Sequence, residues 1–294
     1  MQAAAERNPI KTVRANGLEF GYLEAGDGPL ALCLHGFPDS AYTWRHLLPE
    51  LAAAGYHAVA PFLRGYAPTE VPADGAYQTG ALVSDAVALH DALGGDDQAV
   101  IVGHDWGGFA TYGALSYAPE RWRRAVTLAV PPPAVMVTAF FDYEQLKRSF
   151  YMFVFQTSLA EIAVAADDMA FIDGLWRDWS PGYAAVEDLA HAKDCLREPA
   201  NLGAAIGYYR AMLDASRHQE AYADAQHAAG RPPARPVLYL HGRDDGCLGA
   251  DLSTDVGDHL GADSRLIRID GAGHFLHLER PAQVNRHILD WLAD

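Results

Sequence analysis

The chain has 294 residues, half of them apolar and a fifth charged, which excludes disorder and collagen-like repetition and supplies enough apolar material for a sizeable core. Lys and Arg number 22 against 38 Asp and Glu, a net charge of −16 that repels phosphate backbones and anionic headgroups and so excludes nucleic acid as a natural partner. Cys33, Cys195 and Cys247 are widely spaced and form no CxxC pair, so they frame neither disulfides nor a zinc site and fit a reducing, cytoplasmic compartment.

The opening stretch MQAAAERNPIKTVRANG lacks the apolar centre of a signal sequence, and no apolar run approaches the roughly 18 residues that a membrane span needs. Short apolar runs punctuated by turn residues then alternate with helical patterns. Strands are predicted at Thr12–Ala15, Leu18–Glu24, Leu30–Leu34, His57–Ala60, Ala99–Gly103, Ala125–Leu128, Pro236–Leu240 and Leu266–Ile269. Helices are predicted at Trp44–Ala54, Leu82–Leu93 (closed by Gly94 and Gly95), Trp106–Tyr117 and Ala282–Leu292. The basic cluster Arg121, Arg123 and Arg124 falls between a helix and a strand and reads as solvated surface.

This alternation predicts an α/β fold with a mostly parallel, eight-stranded sheet flanked by helices. Residues 131 to about 232 change character. Pro131, Pro132 and Pro133 open the segment, RPPARP closes it, and Phe, Tyr, Trp and Met recur inside it at helical spacing. The expected organisation is a core from 1 to 130, a helical cap from 131 to 232 over the sheet's C-terminal edge, and the rest of the core from 233 to 294.

The strongest local signal is Gly103-His104-Asp105-Trp106-Gly107-Gly108, set between a predicted strand and a predicted helix. Such a turn holds its central residue in a strained backbone conformation and needs small neighbours, which the glycines provide. A serine at that centre would attack a carbonyl. Asp105, ionised without help at an ordinary pKa of about 3.9, suits displacement at saturated carbon and forms an ester of its own side chain. Hydrolysis of that ester needs a neutral histidine to activate water. Among 13 histidines only His274, in Gly271-Ala272-Gly273-His274-Phe275, combines a strand-end position with a glycine-lined loop. His104 should point away from the nucleophile, and His277 lies one turn beyond His274.

A carboxylate must orient the imidazole, and Gly242-Arg243-Asp244-Asp245 supplies one. Asp245 is the choice and Asp244 the alternative of an ordinary loop acid. The order nucleophile, acid, base then matches the topology. The turn His35-Gly36-Phe37-Pro38 would place the Phe37 backbone N–H beside that of Trp106 as an oxyanion hole, where each donor is typically worth about 3 kcal/mol.

Together, HGFP, GHDWGG and GAGH resemble the α/β-hydrolase superfamily, and the first two resemble its epoxide hydrolase branch. The resemblance covers nearly the whole chain. It implies hydrolysis of an epoxide to a diol, with Asp105 as nucleophile and Asp245 and His274 as the relay; the sequence shows no metal-ligand cluster, phosphate-binding glycine loop or redox motif, so no cofactor and no metal are expected, and the aromatic side chains of the cap predict a small, apolar or aromatic substrate. Members of the branch usually carry two cap tyrosines that donate to the epoxide oxygen. Tyr209, in GYYR, matches the second. Val154, in FYMFVFQ, stands where the first is expected, so Tyr151 three residues earlier, Tyr143, Tyr208 or a cap tryptophan is left to compensate.

Tyr151, Val154, Tyr208, Trp106 and Phe37 are thus the expected substrate-lining residues. The loop Arg64-Gly65-Tyr66 resembles the family's RGY loop, with Phe62 where many members have Asp, and reads as packing; Glu279 reads as a charge at a helix start. A possible homodimer through the cap follows from the family resemblance alone. The competing readings are a haloalkane dehalogenase, disfavoured because Phe37 replaces the halide-binding Asn, and a binding protein that has lost turnover.

Overall fold

A computed structural model describes residues 9–253 and 256–294; the first eight residues of the N-terminal stretch lie outside them. The chain opens with the hairpin β1 (Lys11–Ala15) and β2 (Leu18–Ala25), in register from Lys11 opposite Tyr22 to Ala15 opposite Leu18. Asn16 and Gly17 both take positive φ, 44° and 78°, the two-residue turn whose twist suits a hairpin. β3 (Leu30–Leu34) is buried at every residue, as its unbroken apolar run LALCL requires. There follow α1 (Leu48–Ala53), β4 (His57–Pro61), α2 (Thr79–Ala92), β5 (Val100–His104), α3 (Trp106–Tyr117) and β6 (Arg124–Leu128).

Next come only helices among the described residues: α4 (Pro133–Ala139), α5 (Tyr143–Arg148), α6 (Phe150–Val154), α7 (Ala160–Trp179), α8 (Val186–Leu196), α9 (Pro199–Leu213) and α10 (Ala223–Ala229). The chain then returns to the sheet with β7 (Val237–Gly242) and β8 (Arg265–Ile269), and ends in α11 (Leu276–Glu279) and α12 (Pro281–Ala293). All eight predicted strands are present, with ends within two residues of the prediction.

The expected helix Trp44–Ala54 is split into a 3₁₀ turn, Ala41–Trp44, and α1. Pro49 explains the break. It has no N–H to bond back to a preceding turn, so it is tolerated only in the first turn of a helix, where it stands in α1. The basic cluster also differs in part from expectation. Arg121 pairs with exposed Asp91 at the surface as expected, whereas Arg123 donates to Tyr56 Oη at 2.8 Å and Arg124 lies 4.5 Å over the Trp291 ring, so these two half-buried side chains pack against the core.

The sheet order is β1-β2-β4-β3-β5-β6-β7-β8; β2 runs antiparallel to both its neighbours, and every pairing from β4 across to β8 is parallel. The order reverses at β3, with β4 on one side and β5 on the other. Crevices at the C-terminal ends of such strands are where open α/β sheets bind ligands. Leu34 pairs with Gly103, so the turns after β3 and β5 emerge side by side. Gly242 pairs with Ile269, which does the same for the loops after β7 and β8.

The helical insert is pinned onto these loops by polar contacts. Trp176 Nε1 donates to Pro38 O at 2.8 Å, Asn201 Nδ2 to Gly65 O at 2.7 Å, and Tyr208 Oη to Arg64 O at 2.8 Å. α10, assigned to the cap by its position in the sequence, packs against α2 and α3 alongside the sheet.

Candidate active site

The turn after β5 is built by exclusion. A Cβ on Gly107 would stand 2.1 Å from Leu34 O, and one on Gly36 would stand 2.2 Å from Asp105 Oδ1; only glycine lets the two strand-end turns approach this closely. Asp105 sits at φ 52°, ψ −118°, a conformation costing a non-glycine residue about 1–3 kcal/mol. That bend lifts the carboxylate away from the sheet. The Phe37 N–H donates to its Oδ1 at 2.7 Å. Trp106 is the first residue of α3, so its N–H has no partner within the helix and lies next to the carboxylate's backbone.

His274 is delivered by the loop after β8, with its N–H donated to Trp179 O at 3.0 Å. Its Nδ1 is 3.0 Å from Asp245 Oδ2, which fixes the proton on Nδ1 in the neutral ring and turns Nε2 toward Asp105. Nε2 stands 3.7 Å from Asp105 Oδ2 and has no hydrogen-bond partner. Asp245 is itself oriented: its Oδ1 accepts the N–H groups of Cys247 (2.7 Å) and Leu248 (2.9 Å), and Arg148 donates to its carbonyl at 2.6 Å. Asp244 is exposed, and Asp245 is the acid brought to the imidazole.

All three groups are buried, and their charges depend on one another. Burial pushes the Asp105 carboxyl up, but His274, His104 and the Phe37 N–H outweigh it and hold the group below the usual carboxylate range. Burial pushes His274 down, while Asp245 and then Asp105 raise it to about 10. Both neighbouring carboxyl groups thus favour the protonated form of the imidazole. A buried carboxylate with one oxygen held by an amide and the other facing a relayed histidine is equipped for nucleophilic attack followed by hydrolysis.

A family model described as alpha/beta hydrolase fold matches residues 29–281. The chain belongs to the α/β-hydrolase fold family. Epoxide hydrolase A of Mycobacterium tuberculosis is 32% identical over 96% of this chain and 97% of its own length. AB hydrolase superfamily protein YfhM of Bacillus subtilis is 30% identical, with 96% and 97% covered. A solved epoxide hydrolase from an endophytic Streptomyces superposes with a TM-score of 0.81 at 28% identity, covering 98% of this chain and 96% of that one. This α/β hydrolase is epoxide hydrolase-like.

Tyr209 of this hydrolase comes from α9 and is buried against Phe37 (ring centroids 5.2 Å apart), Trp106 (5.2 Å) and Phe155 (5.2 Å). Its hydroxyl is buried and has no hydrogen-bond partner, and burial, with the Asp105 charge nearby, pushes the phenol well above its ordinary pKa. Tyr151 joins the same cluster, 5.4 Å from the Tyr209 ring, with its hydroxyl 3.7 Å from Cys247 Sγ. Val154 sits at the end of α6, half-buried. Tyr208 touches Trp106 with its ring but commits its hydroxyl to Arg64 O. Tyr143 is 73% exposed and lies outside the cluster.

Several residues near the site carried no signal of this role in the sequence. Glu279, read as a charge at a helix start, accepts from Gly273 N at 2.9 and 3.0 Å and from Ser180 Oγ at 2.7 Å, so it clamps the loop that carries His274. Trp179 packs edge-on against the His274 ring at 5.1 Å. Behind the site, Asp39, His104 and His277 converge, with potential ligand atoms all within 4.8 Å of one another. His104 Nε2 meets the His274 carbonyl at 3.0 Å, which confirms that this ring turns away from Asp105. Burial pushes Asp39 up and both of these histidines down, so the cluster is driven toward neutral groups. Arg64 forks onto Asp85 at 2.5 and 2.6 Å, a buried pair that shapes the RGY loop.

Proposed function

We propose that this hydrolase converts an epoxide to a vicinal diol through an ester on Asp105. The carrying observation is the Asp105 carboxylate itself, with Oδ1 bonded to the Phe37 N–H and Oδ2 turned to His274 Nε2 at 3.7 Å, beside the unpartnered Tyr209 hydroxyl. In the first step Asp105 Oδ2 attacks an epoxide carbon and the ring C–O bond breaks. The leaving oxygen would take a proton from Tyr209, with Tyr151 as the neighbouring phenol in place of the side chain absent at Val154. A phenol suits this task because the alkoxide that leaves is a far stronger base than a phenolate.

In the second step His274, oriented by Asp245, takes a proton from water as that water attacks the ester carbonyl carbon. Negative charge gathers on Oδ1 between the Phe37 and Trp106 N–H groups; collapse breaks the bond from the carboxyl carbon to Oδ2, the departing diol oxygen takes the proton held by His274, and the proton left on the new carboxyl group passes to the Tyr209 phenolate, which restores carboxylate, imidazole and phenol. Phe37, Trp106, Tyr151, Tyr208 and Val154 supply the apolar surroundings. The buried, free thiols of Cys33, Cys195 and Cys247 suit the cytoplasmic location we propose. Among the described residues no helix is long and apolar enough to cross a membrane.

The test is direct. Purified protein incubated with styrene oxide should release phenylethanediol, and with a bromoalkane should release no bromide. Bromide without diol would replace this reading with dehalogenation, and neither product from a broad panel would favour a binding protein.

A further inference from the structure

Asp39, His104 and His277 take no part in the proposed reaction, yet each ends in a buried polar atom without a hydrogen-bond partner among the described residues: Asp39 Oδ2, His104 Nδ1 and His277 Nδ1. The other polar atom of each side chain is already held. The Ser40 N–H donates to Asp39 Oδ1 at 2.8 Å, His104 Nε2 meets the His274 carbonyl at 3.0 Å, and His277 Nε2 meets Thr43 Oγ1 at 2.6 Å. A carbonyl only accepts, so the proton of the neutral His104 ring sits on Nε2 and Nδ1 keeps a bare lone pair. That nitrogen stands 3.9 Å from Asp39 Oδ2, and the two histidine rings lie 4.6 Å apart. Trp44 stacks on the His277 ring at 4.9 Å and braces it from the first turn after β3.

Leaving three such atoms unpaired in the interior is costly. Arg45, the cation whose charge reaches Asp39, is committed to Asp188. We propose that Asp39 Oδ2, His104 Nδ1 and His277 Nδ1 bind a divalent first-row transition-metal ion of the zinc type. The potential ligand atoms of the three residues already lie within 4.8 Å of one another, and around a tetrahedral ion with bonds of about 2.0–2.1 Å they would close to about 3.4 Å. Two imidazoles and a carboxylate without a thiolate are donors that suit such an ion. Burial holds both histidines in the neutral form that coordinates, and the ion supplies the charge that lets Asp39 ionise in the interior.

Metal-bound histidines commonly use their second nitrogen to hold an outer oxygen, which here is the His274 carbonyl for His104 and Thr43 Oγ1 for His277. Through His104 the ion would brace the backbone that carries His274, whatever reaction Asp105 performs. Its ligands come from the turn after β3, the end of β5 and α11, so the site shows none of the short ligand spacing by which a metal centre is read in a sequence.

For the test, the full-length protein without an affinity tag is produced in zinc-supplemented medium, passed over a chelating resin and assayed for metal by plasma mass spectrometry. Wild type should retain about one zinc ion per chain, and His277→Gln and Asp39→Asn less than about a tenth of that. Zinc missing from wild type, or retained in full by either folded variant as an adventitious ion only, overturns the proposal. If neither variant folds, X-ray absorption at the zinc edge of the wild-type protein decides. Two imidazole nitrogens with oxygen completing the shell support the site, whereas a sulfur ligand or fewer than two imidazoles overturns it.

Discussion

The sheet and the helical insert contribute to the site in different ways. Asp105, Asp245, His274 and Phe37 each stand in the turn or loop that follows a strand, and those strands are locked in register with one another in pairs. Asp245 Oδ1, Asp245 Oδ2, His274 Nδ1 and Asp105 Oδ1 are held by short bonds to backbone or to each other, and His274 Nε2 and Asp105 Oδ2 are left facing one another at 3.7 Å. Tyr209 and Tyr151 come from helices, are placed by ring contacts alone on their apolar sides, and Tyr209 keeps its hydroxyl unpaired. The sheet thus fixes the charges, where an error of an ångström is costly. The insert places the phenols proposed as proton donors and shapes their surroundings, where packing tolerates exchange.

The sharpest way to break this division is at the proposed nucleophile. Asp105→Asn should lower kcat by about four orders of magnitude with the fold intact, and ordinary turnover without deamidation would remove Asp105 from the mechanism. His274→Gln should accumulate an adduct heavier by the mass of one substrate molecule, read by intact-protein mass spectrometry. On the insert side the effects should be graded. Tyr209→Phe should lower kcat for an epoxide about a hundredfold and Tyr151→Phe about tenfold, with KM little changed. Equal and small losses, confined to KM, would make both phenols mere packing.

A pH comparison sharpens the charge side. Free His274 is held up to about 10 by Asp245 and Asp105 together, and esterification removes the Asp105 charge. The pKa seen in ester breakdown should therefore lie below the pKa of His274 measured by NMR in the free enzyme. Ester formation, which needs ionised Asp105, should persist in acid below the usual carboxylate range of about 4, because that group is held down. Coincident values for the imidazole in the two states would contradict the electrostatic account. The smallest expected effect is Glu279→Gln, which weakens the clamp on the His274 loop and should lower Tm by about 2 °C.

Much of the sheet side is legible in the sequence, because strands buried on both faces read as short apolar runs and the turns that follow them need glycine at fixed places. GHDWGG and GAGH announce Asp105 and His274 for that reason. Asp245 is separable from Asp244 only by burial, which depends on the loop's path between β7 and β8. The insert is less legible. Its helical character follows from aromatic spacing, but whether Tyr151 or position 154 meets Tyr209 depends on the rotation of α6, which brings the Tyr151 ring within 5.4 Å of Tyr209 and leaves Val154 half-buried against the core. Asp39, His104 and His277 meet from three distant segments, and no local pattern predicts such a convergence. The same applies to Glu279, whose partners, Gly273 and Ser180, come from a different loop and from the end of α7.

The hydrogen bond from Phe37 to a single oxygen of Asp105 makes the two oxygens of that carboxylate unequal before any substrate arrives. In the proposed reaction, Oδ1 stays on its amide throughout and Oδ2 leaves in the diol, replaced by an atom from solvent. Each cycle would renew half of the carboxylate. In isotopically heavy water, the first product molecule should carry an oxygen inherited from the protein, and only later molecules one drawn from the medium.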